Sequence, residues 1–104
     1  LAANGIAGIE TSLSVALAVH RAGELSLATI VAALTTGPAR LFGFTATGVT
    51  PGAAASLVQI DLAASWRPSR ETLQGRSINT PLLGREIPGV VQLTVLEGRP
   101  AYQR

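Results

Sequence analysis

The chain has 104 residues, which suits one domain, yet 47% of them are hydrophobic and the mean hydropathy is +0.38. A domain of this size leaves much of its surface in water, so we expect part of the apolar surface to contact further polypeptide. The net charge of +2 is spread along the chain, and cysteine is absent. These features exclude disulfides and thiolate zinc sites and argue against nucleic-acid binding. No apolar run reaches the roughly 18 residues of a membrane-spanning helix, so we expect a soluble, cytoplasmic protein.

Helices are predicted in the first part of the chain. Apolar spacing predicts a helix over residues 10–21, which Gly23 ends. Ser26 is a good N-cap for a second helix, because its hydroxyl can accept a backbone N–H. Pro38 suits the first turn of a short third helix, and Gly43 is placed to end that helix in a left-handed conformation.

Strands are predicted in the second part. Residues 56–61 read as a buried strand that follows a Pro51-Gly52 turn. Residues 62–76 show no sustained period and predict an extended excursion with one turn at 68–71. The alternating run at 90–96, a tight turn at Glu97-Gly98 and a returning strand at 99–102 predict a hairpin. Helices first and strands last indicate an α+β architecture.

Four short motifs stand in order along the chain. They are Gly-Ile-Ala-Gly-Ile-Glu-Thr at 5–11, Gly-Pro-Ala-Arg-Leu-Phe-Gly at 37–43, Ser-Leu-Val-Gln-Ile-Asp at 56–61 and Ser-Ile-Asn-Thr-Pro-Leu-Leu-Gly at 77–84. In this order and at these spacings the set resembles the C-terminal third of the dihydroorotases, the cyclic-amide hydrolases of pyrimidine biosynthesis in the amidohydrolase superfamily. The resemblance covers essentially the whole chain.

The resemblance implies an architecture shared with more polypeptide. Residues 1–44 would be the last helices of a (β/α)8 metal-dependent hydrolase barrel. Residues 45–104 would be the C-terminal strands of a small β-sandwich that strands from the protein's N-terminus complete. The chain starts at Leu1 and contains no Met, so we expect a segment truncated on its N-terminal side.

The resemblance also implies an activity, the zinc-dependent reversible hydrolysis of the cyclic amide of dihydroorotate to N-carbamoyl-aspartate. In the family a His-x-His pair, further His residues and often a carboxylated Lys hold the zinc, and an Asp moves the proton. None of these groups can be placed in this chain, so we expect neither a metal ligand nor a catalytic residue here, and no activity from the segment alone. A homodimer, or a complex with a carbamoyltransferase, would fit the family.

Asn4 and Gly5 are the predicted substrate-binding residues. They match the family's x-Gly pair, whose backbone contacts the carboxylate and the ring of the substrate. Two glycines in this loop let the backbone approach a ligand closely. Without the resemblance, the loop reads as the plain start of a helix.

Structural roles are favoured for other polar residues. His20, the sole histidine, is assigned no ligand role, because zinc needs several donors at one point. Asp61 is expected to cap a turn, and Arg40 to be a buried or half-buried arginine that satisfies carbonyls or a carboxylate. Glu10 is expected to serve structure at the start of the first helix, where its charge complements the helix dipole.

The 77–84 motif is also given a structural role. Asn79 and Thr80 are expected to bond nearby backbone groups, and Pro81 to hold a bend. The same run favours dihydroorotase over two related cyclic amidohydrolases, allantoinase and hydantoinase. A further alternative is a non-catalytic dihydroorotase-like subunit that supports a carbamoyltransferase.

Overall fold

The structure, a computed structural model, describes residues 4–45 and 48–104. Its elements are α1 Ser12–Arg21, α2 Leu27–Leu34, α3 Thr36–Phe42, β1 Leu57–Trp66, β2 Ile87–Leu96 and β3 Arg99–Gln103. The strands form one antiparallel sheet with β2 between β1 and β3. The predicted α+β order is confirmed. In the described ranges, no helix has both the length and the apolar character needed to cross a membrane.

Helix α1 ends where its sequence predicts. Gly23 adopts a φ of 79°. Its N–H donates to the His20 carbonyl at 2.9 Å, and the N–H of Glu24 donates to the Val19 carbonyl at 3.2 Å. This bonding pattern is a Schellman motif, which satisfies carbonyls that the last helical turn leaves free. The helix begins at Ser12 rather than at residue 10, because the preceding residues form a turn on the Gly8 carbonyl.

The ends of α2 and α3 also follow their signals. The Ser26 hydroxyl accepts the N–H of Thr29 at 3.1 Å and caps α2. Pro38 lies in the first turn of α3, where its missing N–H costs no hydrogen bond. Gly43 ends that helix with a φ of 73°.

Strand β1 is longer than the predicted run of residues 56–61. It continues to Trp66 through an irregular stretch between Asp61 and Ser65. There the Asp61 carboxylate accepts the N–H groups of Ala63 at 2.9 Å and Ala64 at 3.1 Å. Asp61 bonds the backbone just after it, but it caps an irregularity within a strand rather than the predicted turn. The predicted excursion at 62–76 is wrong for its first five residues.

The prediction of a buried strand at 56–61 is wrong. Leu57 and Val58 are 36% and 49% exposed. The reason is topological, because β1 lies at the edge of the sheet. Within the described part of the chain, little polypeptide covers it.

The predicted hairpin is confirmed. Glu97 and Gly98 join β2 to β3 with φ values of 49° and 78°. Two positive φ values in succession define a type I′ turn, whose twist matches that of the flanking strands. The turn predicted near 68–71 is also present, since the N–H of Leu73 donates to the Ser69 carbonyl at 3.0 Å.

A small core forms around α1, which packs against β2 and against α2. Its buried side chains are Leu17, Ile30, Pro68, Leu73, Ile87 and Val90. The backbone of β2 approaches α1 at Gly89, where an added Cβ would collide with the side chain of Leu17. The radius of gyration is 15.1 Å, against about 13 Å for a compact domain of similar length. The segment is therefore extended, with many large apolar side chains on its surface.

Candidate functional site

The predicted substrate contacts lie in a loop before α1, residues 4–8, called here the Gly5 loop. Asn4 and Gly5 are both exposed. Gly5 has a φ of 78°, a conformation that side chains with a Cβ rarely adopt. Toward the rest of residues 4–45 and 48–104, the N–H groups of Asn4, Gly5 and Ile6 donate no hydrogen bond. The loop therefore presents three consecutive backbone donors to solvent or to a ligand.

Asn79 attaches the Gly5 loop to the 77–84 motif. Its side-chain Nδ2 donates to the Gly5 carbonyl at 2.6 Å, and its own carbonyl accepts the N–H of Ala7 at 2.8 Å. The prediction that Asn79 bonds nearby backbone groups is therefore wrong for its side chain, whose partner is 74 residues away in sequence. Thr80 behaves as predicted, since its hydroxyl accepts the N–H of Leu82 at 3.3 Å.

Glu10 forms a second attachment between the same two parts of the chain. One carboxylate oxygen accepts the N–H of Gln74 at 2.9 Å, and the other accepts the N–H of Gly75 at 2.8 Å. Hydrogen bonds to a carboxylate are among the stronger ones in proteins. Glu10 is structural as predicted, but the predicted location of that role is wrong. Helix α1 begins at Ser12 without an acidic residue in its first turn, and Glu10 instead binds a distant loop.

A cleft of about 460 Å³ opens between α1 and the sheet. Leu13 and Ser14 line one side of it, and Trp66, Thr94 and Tyr102 line the other. The indole Nε1 of Trp66 donates to the Ser14 hydroxyl at 3.0 Å, which ties α1 to the end of β1. The residues of the Gly5 loop are not among those that line this cleft. The predicted substrate contacts and the cleft are separate features.

Arg21 performs the role that the sequence assigned to Arg40. Its guanidinium donates to the carbonyls of Leu62 at 2.7 Å and Ala63 at 3.2 Å, in the irregular stretch of β1. Arg40 is exposed on α3 and makes no hydrogen bond within the described ranges. The prediction of a buried or half-buried Arg40 is wrong for this segment. The irregular stretch, which frees carbonyls from strand pairing, creates the need for Arg21 and is not visible as a sequence pattern.

His20 holds the turn after α1. Its Nδ1 lies 2.9 Å from the Leu25 carbonyl. A carbonyl only accepts, so Nδ1 carries the proton. Among residues 4–45 and 48–104, no three His, Cys, Asp or Glu side chains come together as a metal site. This donor set does not fit a zinc ion, which takes several nitrogen, sulfur or oxygen ligands at one point.

Glu71 lies in the turn that follows β1. The hydroxyl of Ser69 donates to its carboxylate at 2.7 Å. This bond, the backbone N–H of Glu71 and the positive charge of Arg70 together lower the pKa of Glu71 from its ordinary value of 4.5. A lowered pKa keeps this side chain charged, so the arrangement stabilises the turn and does not suit a proton donor near neutral pH.

No protein-family model matches the chain. The chain is 43% identical over 102 residues to a dihydroorotase of Anaeromyxobacter dehalogenans strain 2CP-C, an alignment that covers 98% of the chain and 24% of that relative. It is 35% identical over 103 residues to a dihydroorotase of Geobacter metallireducens, covering 99% of the chain and 24% of the relative. Over nearly its whole length, the chain is therefore similar to about a quarter of each of these dihydroorotases. The resemblance drawn from the four motifs is confirmed.

The chain spans 24% of the length of the curated relatives that it matches. A dihydroorotase of Pelobacter propionicus aligns over all 104 residues at 35% identity, again with 24% of that relative covered. The similarity therefore includes both the Gly5 loop and the Asn79 motif. Substrate contact by Asn4 and Gly5 stays a prediction.

Proposed function

We propose that these residues are the C-terminal part of a dihydroorotase, which hydrolyses the cyclic amide of dihydroorotate reversibly to N-carbamoyl-aspartate in pyrimidine biosynthesis. The observation that carries this proposal is the 43% identity to a named dihydroorotase over 98% of the chain. The names of the relatives favour this activity over those of an allantoinase or a hydantoinase.

The architecture that we propose divides the chain in two. Residues 1–44 would supply the last helices of the (β/α)8 barrel, and residues 45–104 the C-terminal strands of the β-sandwich. Unburied apolar side chains support this arrangement, since Ile9, Leu41 and Phe44 are 95%, 79% and 72% exposed. Large apolar side chains exposed to this extent suit a contact with further protein. The rest of the same polypeptide is the partner that the sequence similarity suggests.

The segment would contribute binding rather than the metal site. Its described residues do not fit zinc, so we place the zinc ligands and the proton-shuttling Asp on the preceding part of the polypeptide. Asn4 and Gly5 would bind the substrate through their backbone N–H groups, which donate no hydrogen bond to the described residues. Dihydroorotate carries a carboxylate and ring carbonyls, all of which accept hydrogen bonds. Fixed donors of this kind hold a substrate in a reactive orientation.

The test is an assay of the full-length protein that contains this segment. The purified protein, supplied with zinc, should hydrolyse dihydroorotate and form it from N-carbamoyl-aspartate. Allantoin and hydantoin, assayed in parallel, should turn over far more slowly. Preferred turnover of either of these would replace the proposal with the corresponding cyclic amidohydrolase, and a zinc-loaded protein without turnover would favour the non-catalytic subunit.

A further inference from the structure

We propose that Asn79 is a positioning residue, which orients the peptide groups of the Gly5 loop toward the substrate. This inference rests on the proposed function, because it assigns a role to a residue outside the predicted substrate contacts. Asn79 makes two hydrogen bonds with the loop. Its side-chain amide donates to the Gly5 carbonyl at 2.6 Å, and its main-chain carbonyl accepts the Ala7 N–H at 2.8 Å.

The first bond sets the direction of a peptide plane. The carbonyl of Gly5 and the N–H of Ile6 belong to the same peptide group, and in a planar trans peptide they point in opposite directions. An Asn79 amide that holds the carbonyl therefore aims the Ile6 N–H away from Asn79. That N–H donates no hydrogen bond to the described residues, so it is available to an acceptor on a ligand.

The second bond prevents the loop from pivoting about the first. The Gly5 carbonyl precedes Ile6 and the Ala7 N–H follows it, so Asn79 forms hydrogen bonds with the backbone on both sides of Ile6. Gly5 needs this support, because its φ of 78° is one of many conformations open to a glycine. Without the two hydrogen bonds to Asn79, rotation about the backbone of Gly5 would let the preceding peptide groups change direction.

The side that carries Asn79 is itself anchored. Glu10, just beyond the Gly5 loop, binds the N–H groups of Gln74 and Gly75, so residues 74–79 and 5–10 are joined at both ends. The Glu10 bonds hold the two segments together, whereas the Asn79 amide is the one group among residues 4–45 and 48–104 that donates a hydrogen bond to the Gly5 carbonyl. Removing the Asn79 amide should therefore change the orientation of the peptide groups in the Gly5 loop and leave the fold largely intact.

The experiment compares Asn79→Asp, Asn79→Ala and Thr80→Ala in the full-length zinc-loaded protein. Asp has nearly the shape of Asn but lacks the N–H donor and sets a charged acceptor against the Gly5 carbonyl. For both Asn79 variants, we expect KM for dihydroorotate to rise about tenfold or more, with a smaller change in kcat and with unchanged zinc content. Thr80→Ala, which removes a local bond in the same motif, should keep the wild-type KM.

Hydrogen exchange at the Gly5 loop gives an independent readout if Asn79→Asp folds poorly. In Asn79→Ala, the Ala7 N–H keeps the main-chain carbonyl of residue 79 as its acceptor, so loosening of the loop should raise its exchange rate only modestly, while the amides of β2 keep their protection. A wild-type KM in both Asn79 variants would overturn the inference and leave the proposed function standing. A parallel loss of kcat, zinc and β2 protection would also overturn it, since that result describes a structural residue. A wild-type protein without dihydroorotate turnover would remove the proposed function itself.

Discussion

Two glycines with similar backbone angles have different reasons to be glycine. Gly89 and Gly98 have φ values of 83° and 78°. A Cβ on Gly98 would meet no atom within 4 Å, whereas a Cβ on Gly89 would collide with Leu17 in the core. A substitution at Gly98 thus measures the loss of stability from a left-handed backbone alone. A substitution at Gly89 adds the steric clash of a Cβ with Leu17.

Replacing Gly89 with Ala should therefore destabilise the full-length protein more than replacing Gly98 with Ala. The left-handed conformation costs roughly 1–2 kcal/mol at either position. Overpacking against Leu17 adds about 1–3 kcal/mol at Gly89 alone. Denaturant unfolding of both variants measures the difference directly. Equal losses of stability would contradict the close approach of β2 to α1.

The lowered pKa of Glu71 predicts a local pH dependence. Because the folded pKa lies below 4.5, the charged side chain stabilises the turn above that pH, and this contribution is lost as the pH falls through the folded pKa. Ser69→Ala removes the largest cause, so the Glu71 pKa should move up toward 4.5 in an NMR titration. Ser77→Ala serves as the matched control and should leave it in place. An unmoved pKa in Ser69→Ala would show that the hydroxyl bond is not the cause.

At the scale of elements, α1 is joined to β1 by polar contacts at two points. Arg21 reaches the carbonyls of the irregular stretch, and Ser14 accepts the Trp66 indole N–H. The Arg21 contacts are exposed, so water competes for the same groups. Their net contribution is consequently modest, although they orient the helix on the sheet.

Arg21→Ala should lower the free energy of unfolding by roughly 1 kcal/mol. Arg21→Lys should recover only part of the loss, because a lysine ammonium cannot reproduce the planar fork of a guanidinium. Arg85→Ala, at an exposed arginine on another loop, is the control and should change stability by less than about 0.5 kcal/mol. Full recovery by lysine would mean that charge alone, rather than the fork geometry, supports the contact.

At the scale of the whole molecule, the apolar surface is the dominant feature. Phe42 and Phe44 are 69% and 72% exposed, and their ring centroids lie 6.5 Å apart. Exposed aromatic pairs in an extended segment favour association in water. They would be covered if the remaining polypeptide packs on α3, as the proposed barrel requires.

The isolated 104-residue segment should therefore aggregate on purification and show no dihydroorotate hydrolysis with added zinc. Changing Phe42 and Phe44 together to Ser should make the isolated segment more soluble and make the full-length protein less stable. Light scattering and thermal unfolding measure the two effects. A monomeric wild-type segment that turns over dihydroorotate would contradict both the surface argument and the placement of the zinc site.

Local interactions explain which features the sequence predicted. Gly23, Ser26 and Gly43 end or begin helices through bonds that reach only a few residues, and Glu97-Gly98 forms its turn in the same way. The similarity to dihydroorotases was also predictable, because each of the four motifs lies within one short stretch of the sequence. The burial of residues 56–61 was mispredicted because the edge position of β1 depends on the whole sheet.

The sequence by itself determined the helix ends, the hairpin turn, the α+β order and the relationship to dihydroorotases. Only the tertiary structure decided that Asn79 holds Gly5, that Glu10 binds Gln74 and Gly75, and that Arg21 rather than Arg40 satisfies free carbonyls. These partners are 41 to 74 residues apart in sequence. The physical reason is that hydrogen bonds to neighbouring residues depend on the local backbone conformation, which the nearby sequence determines. The distant partners of a side chain depend on how the whole chain packs.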